Sequence, residues 1–437
     1  MIPMKELRLF RHAPRGAFLF VLMLLVSGLA AATEPPDFEA IAHSHEKQTI
    51  DDRRWLHENP ELSGRETKTQ AYLRQALEDI PGITFIEGDW GTGLVAELRG
   101  GLPGPRVAWR ADMDALPITE DTDLPFRSTC RDTLNGGRAV GVMHACGHDL
   151  HMSIALGAIR TLASVRDRMP GTLMIIFQPA EETGDGAYDM LKAGLFDGDR
   201  KPRCVLAFHD HPTIAYGQVG SCSGWSTANV DGFRMTVKGH GGHGAYPHRS
   251  IDPVTLAAKM VLAFNDIVAR EIDVNHHAVI SVGRIEGGAK GNVIPDEVYL
   301  EATVRTHDDE TRNAVKAKVE RVVKALAESV GAPEPELDYY FGTPAGYNNP
   351  ELVEQARAVF RRVLGPENAI TYPPGMGGED FSRYGQVVPG FQFRIGVAPP
   401  GQENTMSLHS PQFNADERAV GLGMRLVAEV LWDQLNR

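Results

Sequence analysis

Residues 141–149 read Gly-Val-Met-His-Ala-Cys-Gly-His-Asp, and they run into Leu-His-Met-Ser-Ile-Ala-Leu over residues 150–156, which predicts a helix. Cys146 and His148 therefore lie where a loop enters a helix. Thiolate and imidazole are the donors that zinc and related transition ions prefer. Gly147 between them lets the backbone turn so that both side chains can face one point. The stretch indicates a metal site, although a buried cysteine beside a hydrogen-bonded histidine would give the same pattern.

Three apolar segments on either side of this stretch predict buried strands that alternate with helices: residues 106–110, 172–177 and 204–208. Each segment is followed by acids or a histidine, namely Asp112 and Asp114, Glu181 and Glu182, and His209. In an open α/β sheet, ligands bind outside the carboxyl ends of the strands, so these side chains should converge with the metal stretch. Two adjacent glutamates are costly at a buried strand end unless cations compensate them. A solvated acidic surface is the alternative.

The order of predicted elements changes from about residue 231. Strands are predicted over residues 232–238, 278–285, 298–306 and 337–341, with helices over 252–270 and 309–330. This order, βαββαβ, is the ferredoxin-like pattern. The predicted fold is therefore a mixed-sheet α/β domain with an inserted ferredoxin-like domain. The predicted boundaries are 1–32 for a signal peptide, 33–228 and 345–437 for the two parts of the host domain, and 229–344 for the insertion.

The first thirty-two residues have the pattern of a secretory signal. Basic residues precede an apolar run over residues 17–29, and three alanines follow at 30–32. The pattern predicts a secreted, periplasmic protein with no stable membrane insertion once the signal is cleaved. An uncleaved anchor is the alternative, but the run is shorter than the roughly 20 residues that a spanning helix needs.

Composition argues against a nucleic-acid partner and leaves open whether two of the cysteines form a disulfide. The chain of 437 residues is long enough for two domains, and its net charge of −13 argues against a nucleic-acid partner. Four cysteines over this length are not a disulfide framework. Cys204 and Cys222 flank a turn-like segment, so a hairpin could place them opposite each other. Whether they form a disulfide is left open.

Six segments follow one another in a fixed order: residues 110–117, 144–149, 178–182, 239–243, 292–296 and 408–409. Their sequences are Arg-Ala-Asp-Met-Asp-Ala-Leu-Pro, His-Ala-Cys-Gly-His-Asp, Gln-Pro-Ala-Glu-Glu, Gly-His-Gly-Gly-His, Asn-Val-Ile-Pro-Asp and Leu-His. Together they resemble the amidohydrolase group of dinuclear metallopeptidases. This group includes hippurate hydrolases, bacterial N-acyl-amino-acid hydrolases and plant enzymes that hydrolyse auxin conjugates. The resemblance runs from about residue 50 to the C-terminus.

The resemblance implies two divalent metal ions per subunit. Their ligands would be Cys146, which bridges the ions, and His148, Glu182, His209 and His409. In the wider clan an aspartate bridges and a His-x-Asp pair follows the first acidic strand; Cys146 and Asp112 stand in those places. Zinc or manganese is expected first and cobalt or nickel next, because thiolate favours zinc whereas carboxylate and imidazole accept the others too. His211 is the alternative to His209.

The resemblance also implies catalytic and substrate-binding roles. Glu181 would act as general base for a metal-bridged hydroxide and pass its proton to the departing amine. Asp114 would orient a metal-bound group. His243, in the inserted domain, would reach a neighbouring subunit's site and stabilise the oxyanion. Asn292 and Arg305 would hold the substrate's α-carboxylate.

The implied activity is hydrolysis of a linear amide, with an N-acyl amino acid as the small-molecule substrate. The acyl group would be hippurate-like, aromatic or aliphatic; the pattern does not choose among them. The inserted domain would form a lid and the contact of a homodimer. A carboxypeptidase or dipeptidase acting on short peptides is the nearest alternative, and a non-catalytic metal-binding module is the alternative from another class.

Overall fold

The computed structural model describes residues 35–403, 405 and 407–437, and Phe38–Arg437 form one compact unit. The signal peptide predicted over residues 1–32 lies outside the described residues. None of the helices in the described ranges combines the length with the apolar character that crossing a bilayer requires.

The helices are, in chain order, α1 (Phe38–Glu58), α2 (Thr67–Glu78), α3 (His148–Ala163), α4 (Gly186–Lys192), α5 (Pro253–Asp266), α6 (Asp309–Ser329), α7 (Pro350–Leu364), α8 (Ser382–Gly385) and α9 (Arg418–Leu435). The strands are β1 (Ile83–Phe85), β2 (Leu94–Arg99), β3 (Leu102–Asp112), β4 (Arg131–Thr133), β5 (Ala139–Gly141), β6 (Pro170–Gln178), β7 (Val205–Ala215), β8 (Val219–Ser221), β9 (Gly224–Trp225), β10 (Asn229–Lys238), β11 (Gly242–His243), β12 (Ala278–Glu286), β13 (Val293–Ile294), β14 (Glu297–Thr306), β15 (Glu336–Tyr340), β16 (Tyr347–Asn348), β17 (Ala369–Thr371) and β18 (Gly390–Ala398).

The larger sheet is mixed, with the strand order β1-β2-β6-β3-β7-β18-β8-β17. Its central strands β6, β3, β7 and β18 are parallel, whereas β2 is antiparallel to β6. Hydrophobic residues cover both faces of this sheet. Consecutive residues of β6, such as Ile175 and Ile176, belong to different hydrophobic clusters. A strand buried on both faces reads as a continuous apolar run, and this is the pattern of residues 172–177. The predicted mixed-sheet α/β fold is confirmed.

The smaller sheet is antiparallel, with the order β12-β14-β10-β15. Every second residue of β14 is buried, and the cluster behind it joins Phe233 and Leu300 of the sheet to Met260 of α5 and Val319 of α6. Alternation of this kind is typical of a sheet with one covered face. The chain order of these elements is the predicted βαββαβ. The structure adds a short two-stranded antiparallel sheet of β11 and β13 that the sequence pattern did not indicate.

The expected hairpin between Cys204 and Cys222 is wrong. Strand β18, from the end of the chain, lies between β7 and β8 and pairs with both. The two cysteines therefore lie on strands that are not neighbours. All four cysteine thiols in the chain are free in the structure.

Candidate metal centre

The backbone at two loop–element junctions aims side chains into one site. Gly147 has φ of 77° just before α3, and a Cβ there would lie 2.2 Å from Oδ1 of Asp210. Glycine is therefore required both for the left-handed conformation and for the close approach. Ala180, after β6, has φ of 54°, which is rare for a residue with a side chain. This turn directs the two residues that follow it, Glu181 and Glu182, toward α3.

The structure brings together every residue predicted as a metal ligand. The Cys146 Sγ atom lies 3.5 Å from Nε2 of His209 and 3.3 Å from Nε2 of His409. The Oε1 atom of Glu182 lies 3.5 Å from Nε2 of His409 and 3.9 Å from Nε2 of His148. The site thus combines one sulfur, three imidazole nitrogens and a carboxylate oxygen. The sulfur of Cys146 contacts both His209 and His409.

The hydrogen bonds around the cluster leave its inward-facing atoms free to bind a cation. Nδ1 of His148 donates to the Asp114 carbonyl at 2.8 Å, and Nδ1 of His209 donates to the Asp210 carbonyl at 2.7 Å. Because a carbonyl can only accept, each ring carries its proton on Nδ1 and turns the lone pair of Nε2 inward. Nε2 of His148 and Oε1 of Glu182 are buried without a hydrogen-bond partner among the described residues. A thiol, imidazoles and a carboxylate so arranged fit divalent transition metals.

The charges around Cys146 also favour a bound cation. Burial, and then the Glu182 carboxylate, raise the pKa of Cys146 well above its usual range. The thiol therefore stays protonated unless a cation offsets the surrounding negative charge. Since a coordinating thiol is deprotonated outright, Cys146 can act as a ligand only together with the positive charge of the ions.

Asp114 holds the loop that carries the two glutamates. Its carboxylate accepts the backbone N–H groups of Glu181 at 3.1 Å and Glu182 at 3.0 Å, and the Ser63 hydroxyl at 2.6 Å. It is fully buried, and its Oδ1 lies 3.4 Å from Nδ1 of His148. This geometry suits a positioning residue that orients metal ligands through their backbone and ring.

Asp112 stands where the wider clan has a histidine ligand, but its oxygens have other partners. One accepts from Arg110 at 2.5 Å and the other contacts Nδ1 of His151 at 2.5 Å. Nε2 of His151 in turn lies 2.9 Å from Oδ1 of Asp210. The sequence reasoning missed His151. Its spacing from His148, three residues along one helix, was the available signal, because such residues share a face.

A buried acidic pair beside Glu181 was also missed. Glu379 and Asp380, in the glycine-rich loop before α8, lie 3.1 Å and 2.9 Å from the Arg110 guanidinium. Burial, and then the Glu379 and Asp380 carboxylates, raise the pKa of Glu181 well above its usual range. Burial raises the pKa of Asp380 to about 7, against the opposing effect of Arg110. Raised carboxyl pKa values are common where a group exchanges protons.

A cavity of about 520 Å³ opens over the cluster. Its wall includes Cys146, Glu181, His409 and the side chain of Arg305. His243 and Asn292 are not among the residues of this wall. They lie exposed on and beside the two-stranded sheet of β11 and β13, where the backbone N–H of Gly244 donates to the Asn292 carbonyl at 2.9 Å. Within one chain, the structure therefore unites Arg305, but neither His243 nor Asn292, with the cluster.

The structure separates His209 from the alternative ligand His211. Nε2 of His211 contacts the Tyr372 hydroxyl at 2.7 Å, and its Nδ1 contacts the Thr213 hydroxyl at 3.0 Å. Both ring nitrogens are thus engaged away from Cys146. We expect His209→Ala to lower the bound metal per chain and His211→Ala to leave it at the wild-type level, as measured by mass spectrometry of metals. The reverse result would assign the ligand to His211.

Comparison with known proteins shows the family of this chain. The description "Peptidase family M20/M25/M40" matches residues 108–433. An N-acetylcysteine deacetylase of Bacillus subtilis is 36% identical over 381 residues, which are 87% of this chain and 95% of the relative. A thermostable carboxypeptidase of Saccharolobus solfataricus is 36% identical over 377 residues, 85% of this chain and 91% of the relative. A dinuclear metal-binding peptidase from Bacillus subtilis superposes with a TM-score of 0.76 at 33% identity, covering 90% of this chain and 99% of that one.

The prediction of a secreted, periplasmic protein is wrong. The likeness to these relatives gives no support for export. The prediction depended on residues 1–32 alone, which lie outside the described residues.

Proposed function

This chain belongs to the peptidase family M20/M25/M40, whose members hydrolyse amides with bound metal, and from this premise we propose that it cleaves N-acyl amino acids to free amino acids. The observation that carries the proposal is the convergence of a complete ligand set with Glu181 and Arg305 in one cavity. A volume of about 520 Å³ suits a small substrate. A relative that deacetylates N-acetylcysteine supports the same choice.

We assign the two divalent ions to Cys146, His148, Glu182, His209 and His409. Bound ions of this kind lower the pKa of a water and polarise the amide oxygen. The thiolate of Cys146 favours zinc, whereas the imidazoles and Glu182 also accept manganese, cobalt or nickel. Asp114 supports Glu182 through the backbone of its loop, and Asp112 holds His151, which in turn contacts Asp210 beside His209.

Glu181 exchanges the protons of the reaction. It lines the cavity next to Glu182 and contributes no atom to the Cys146–His209–His409 contacts. Its raised pKa suits a carboxyl group that first takes a proton from water and then gives it to the departing amine nitrogen. The neighbouring carboxylates of Glu379 and Asp380 favour the protonated form that the second step needs.

We propose that a second subunit completes the site. His243 and Asn292 lie side by side at a separate, exposed two-stranded sheet of the inserted domain, outside the cavity of their own chain. In a homodimer formed through the smaller domain, His243 would reach the partner's cavity and donate to the oxyanion. Light scattering on the purified protein measures the mass directly, and a monomer under assay conditions would contradict this part of the proposal.

Arg305 lines the cavity and binds the substrate's α-carboxylate in this account. Its Nε donates to the Thr303 hydroxyl at 3.1 Å, and its guanidinium has no ion pair among the described residues. Losing one charge-assisted contact of this type costs about 1.5–3 kcal/mol, so Arg305→Ala should raise KM about 10- to 100-fold for substrates with a free carboxylate. The control is the methyl ester of the same substrate. An equal loss on acid and ester would show general damage instead.

The substrate class is tested with metal-stripped protein to which zinc, manganese, cobalt or nickel is restored singly. Hippurate, N-acetyl amino acids and a panel of dipeptides are then assayed by release of the free amino acid. Cleavage of acylated amino acids with little dipeptide cleavage supports the proposal. Dipeptide cleavage alone would assign the chain to the second candidate, a peptidase, which the carboxypeptidase relative favours.

A further inference from the structure

A second arginine projects from the sheet beside the metal centre. Arg394 lies on β18, in register with His209 on β7 and with Gly220 on β8. Residues paired across neighbouring strands point to the same face of a sheet. Arg394 therefore shares the face from which His209 points into the cluster, and its side chain lines the cavity. Gln392, two residues earlier, shares this face and bonds Glu379 at 2.7 Å.

The guanidinium of Arg394 has no partner of its own. Among the described residues it makes no hydrogen bond, ion pair or cation–π contact. The carboxylates nearest the sheet in this cavity are already engaged: Glu379 with Arg110 and Gln392, and Asp380 with Arg110 and Gln178. Arg394 is thus a half-buried cation with five free donors.

The positive charge of Arg394 affects the pKa of a neighbouring group. Burial raises the pKa of Cys222, and Arg394 acts against that rise. A cation here also repels the divalent ions that the neighbouring cluster would hold, and a half-buried charge without a counter-ion is costly. An anion that enters the cavity would offset both the repulsion between Arg394 and the divalent ions and the cost of leaving the Arg394 charge without a counter-ion.

We propose that Arg394 is a second carboxylate-binding residue, and that the cavity takes N-acyl amino acids that carry a second carboxylate in addition to the one at Arg305. The two arginines lie on different sheets, Arg305 on β14 and Arg394 on β18, and both line the cavity, so in this proposal each binds a different carboxylate of one substrate. The second carboxylate belongs either to the amino-acid side chain or to the acyl group. The inference takes its reaction from the proposed function, but the binding preference stands without turnover.

The test compares substrates that differ only in this charge. N-acetylglutamate is paired with N-acetylglutamine, and N-succinylalanine with its terminal monoamide. In the wild-type enzyme the acid of one pair should have a kcat/KM about 10- to 100-fold above its amide, because a charge-assisted contact to Arg is lost in the amide. The pair that shows the preference identifies which end of the substrate reaches Arg394. Arg394→Gln should reduce that ratio to near one, and Arg394→Lys should keep part of it.

The control variant is Arg361→Gln, which removes an exposed arginine of α7 and should keep the wild-type ratio. Calorimetry on the metal-loaded Glu181→Gln protein, with and without Arg394→Gln, measures acid and amide binding without turnover. If the wild-type enzyme cleaves neither pair, the proposed function fails while the binding preference still decides the role of Arg394. Equal kcat/KM and equal affinity for acid and amide in both pairs, or an equal loss on both in Arg394→Gln, would overturn the inference.

Discussion

Glu181→Gln is expected to lower kcat about 10²- to 10⁴-fold, the range that positioned proton transfer supplies, while leaving the metal content unchanged. Glutamine keeps the size of the side chain but cannot take a proton from water. The backbone N–H of residue 181 still donates to Asp114, so the loop that carries Glu182 keeps its support. Substrate affinity should therefore change much less than turnover. Steady-state kinetics and metal analysis of the same preparation test both halves of this expectation.

The control for this variant is Glu334→Gln, which removes an exposed glutamate outside the cavity and should behave as wild type. Two outcomes would contradict the role of Glu181. Turnover near the wild-type level would show that another group moves the proton, and Asp380, whose burial raises its pKa to about 7, would be the first to examine. Loss of metal together with turnover would make Glu181 a ligand.

Cys146→Ala is expected to reduce the bound metal from two ions per chain to one or fewer. The sulfur of Cys146 contacts both His209 and His409, so this substitution removes the one atom that the two histidines share as a neighbour. Replacing an outer partner of a metal ligand already costs 10- to 100-fold in affinity, and loss of a shared ligand should exceed that. Metal analysis after dialysis, with a fluorescent chelator as competitor, measures the affinity.

Two matched variants make the result specific. Cys146→Asp restores an anionic ligand of the harder type, so it should bind two ions again and shift the preference from zinc toward manganese. Cys204→Ala removes a buried thiol near Gln434, outside the cluster, and should leave the metal content unchanged. Two ions bound by Cys146→Ala with wild-type affinity would exclude Cys146 as a bridging ligand.

The ligand set was implied by the resemblance to the family, whereas the convergence of polar residues on one site could be predicted because the fold places strand ends together. Apolar runs showed where β3 and β6 end, and the polar residues after them, Asp112, Asp114 and Glu182, meet at one edge of the sheet. The rule that ligands bind at the carboxyl ends of parallel strands predicts this convergence without knowledge of the tertiary structure. The inserted module was predictable for a similar reason, since the alternation in β14 and the apolar face of α5 each record one covered face.

What could not be predicted depends on contacts distant in sequence. Strand β18 inserts between β7 and β8, and only this placement separates Cys204 from Cys222 and sets Arg394 beside His209. The ion pairs of Arg110 with Glu379 and Asp380 join residues that are about 270 positions apart. Local periodicity carries no information on such pairs. The localisation predicted from residues 1–32 was wrong, and it depended on a local pattern alone.

Titration of the metal-free protein with zinc or manganese shows whether this chain is the dinuclear, metal-dependent amidohydrolase that we propose. The rate of N-acetyl amino acid hydrolysis is followed against ions added per chain. We predict a negligible rate without metal, a rise with added ion and a plateau at two ions per chain. Full activity of the stripped protein in the presence of a chelator, or no activity after two ions have bound, would contradict the account.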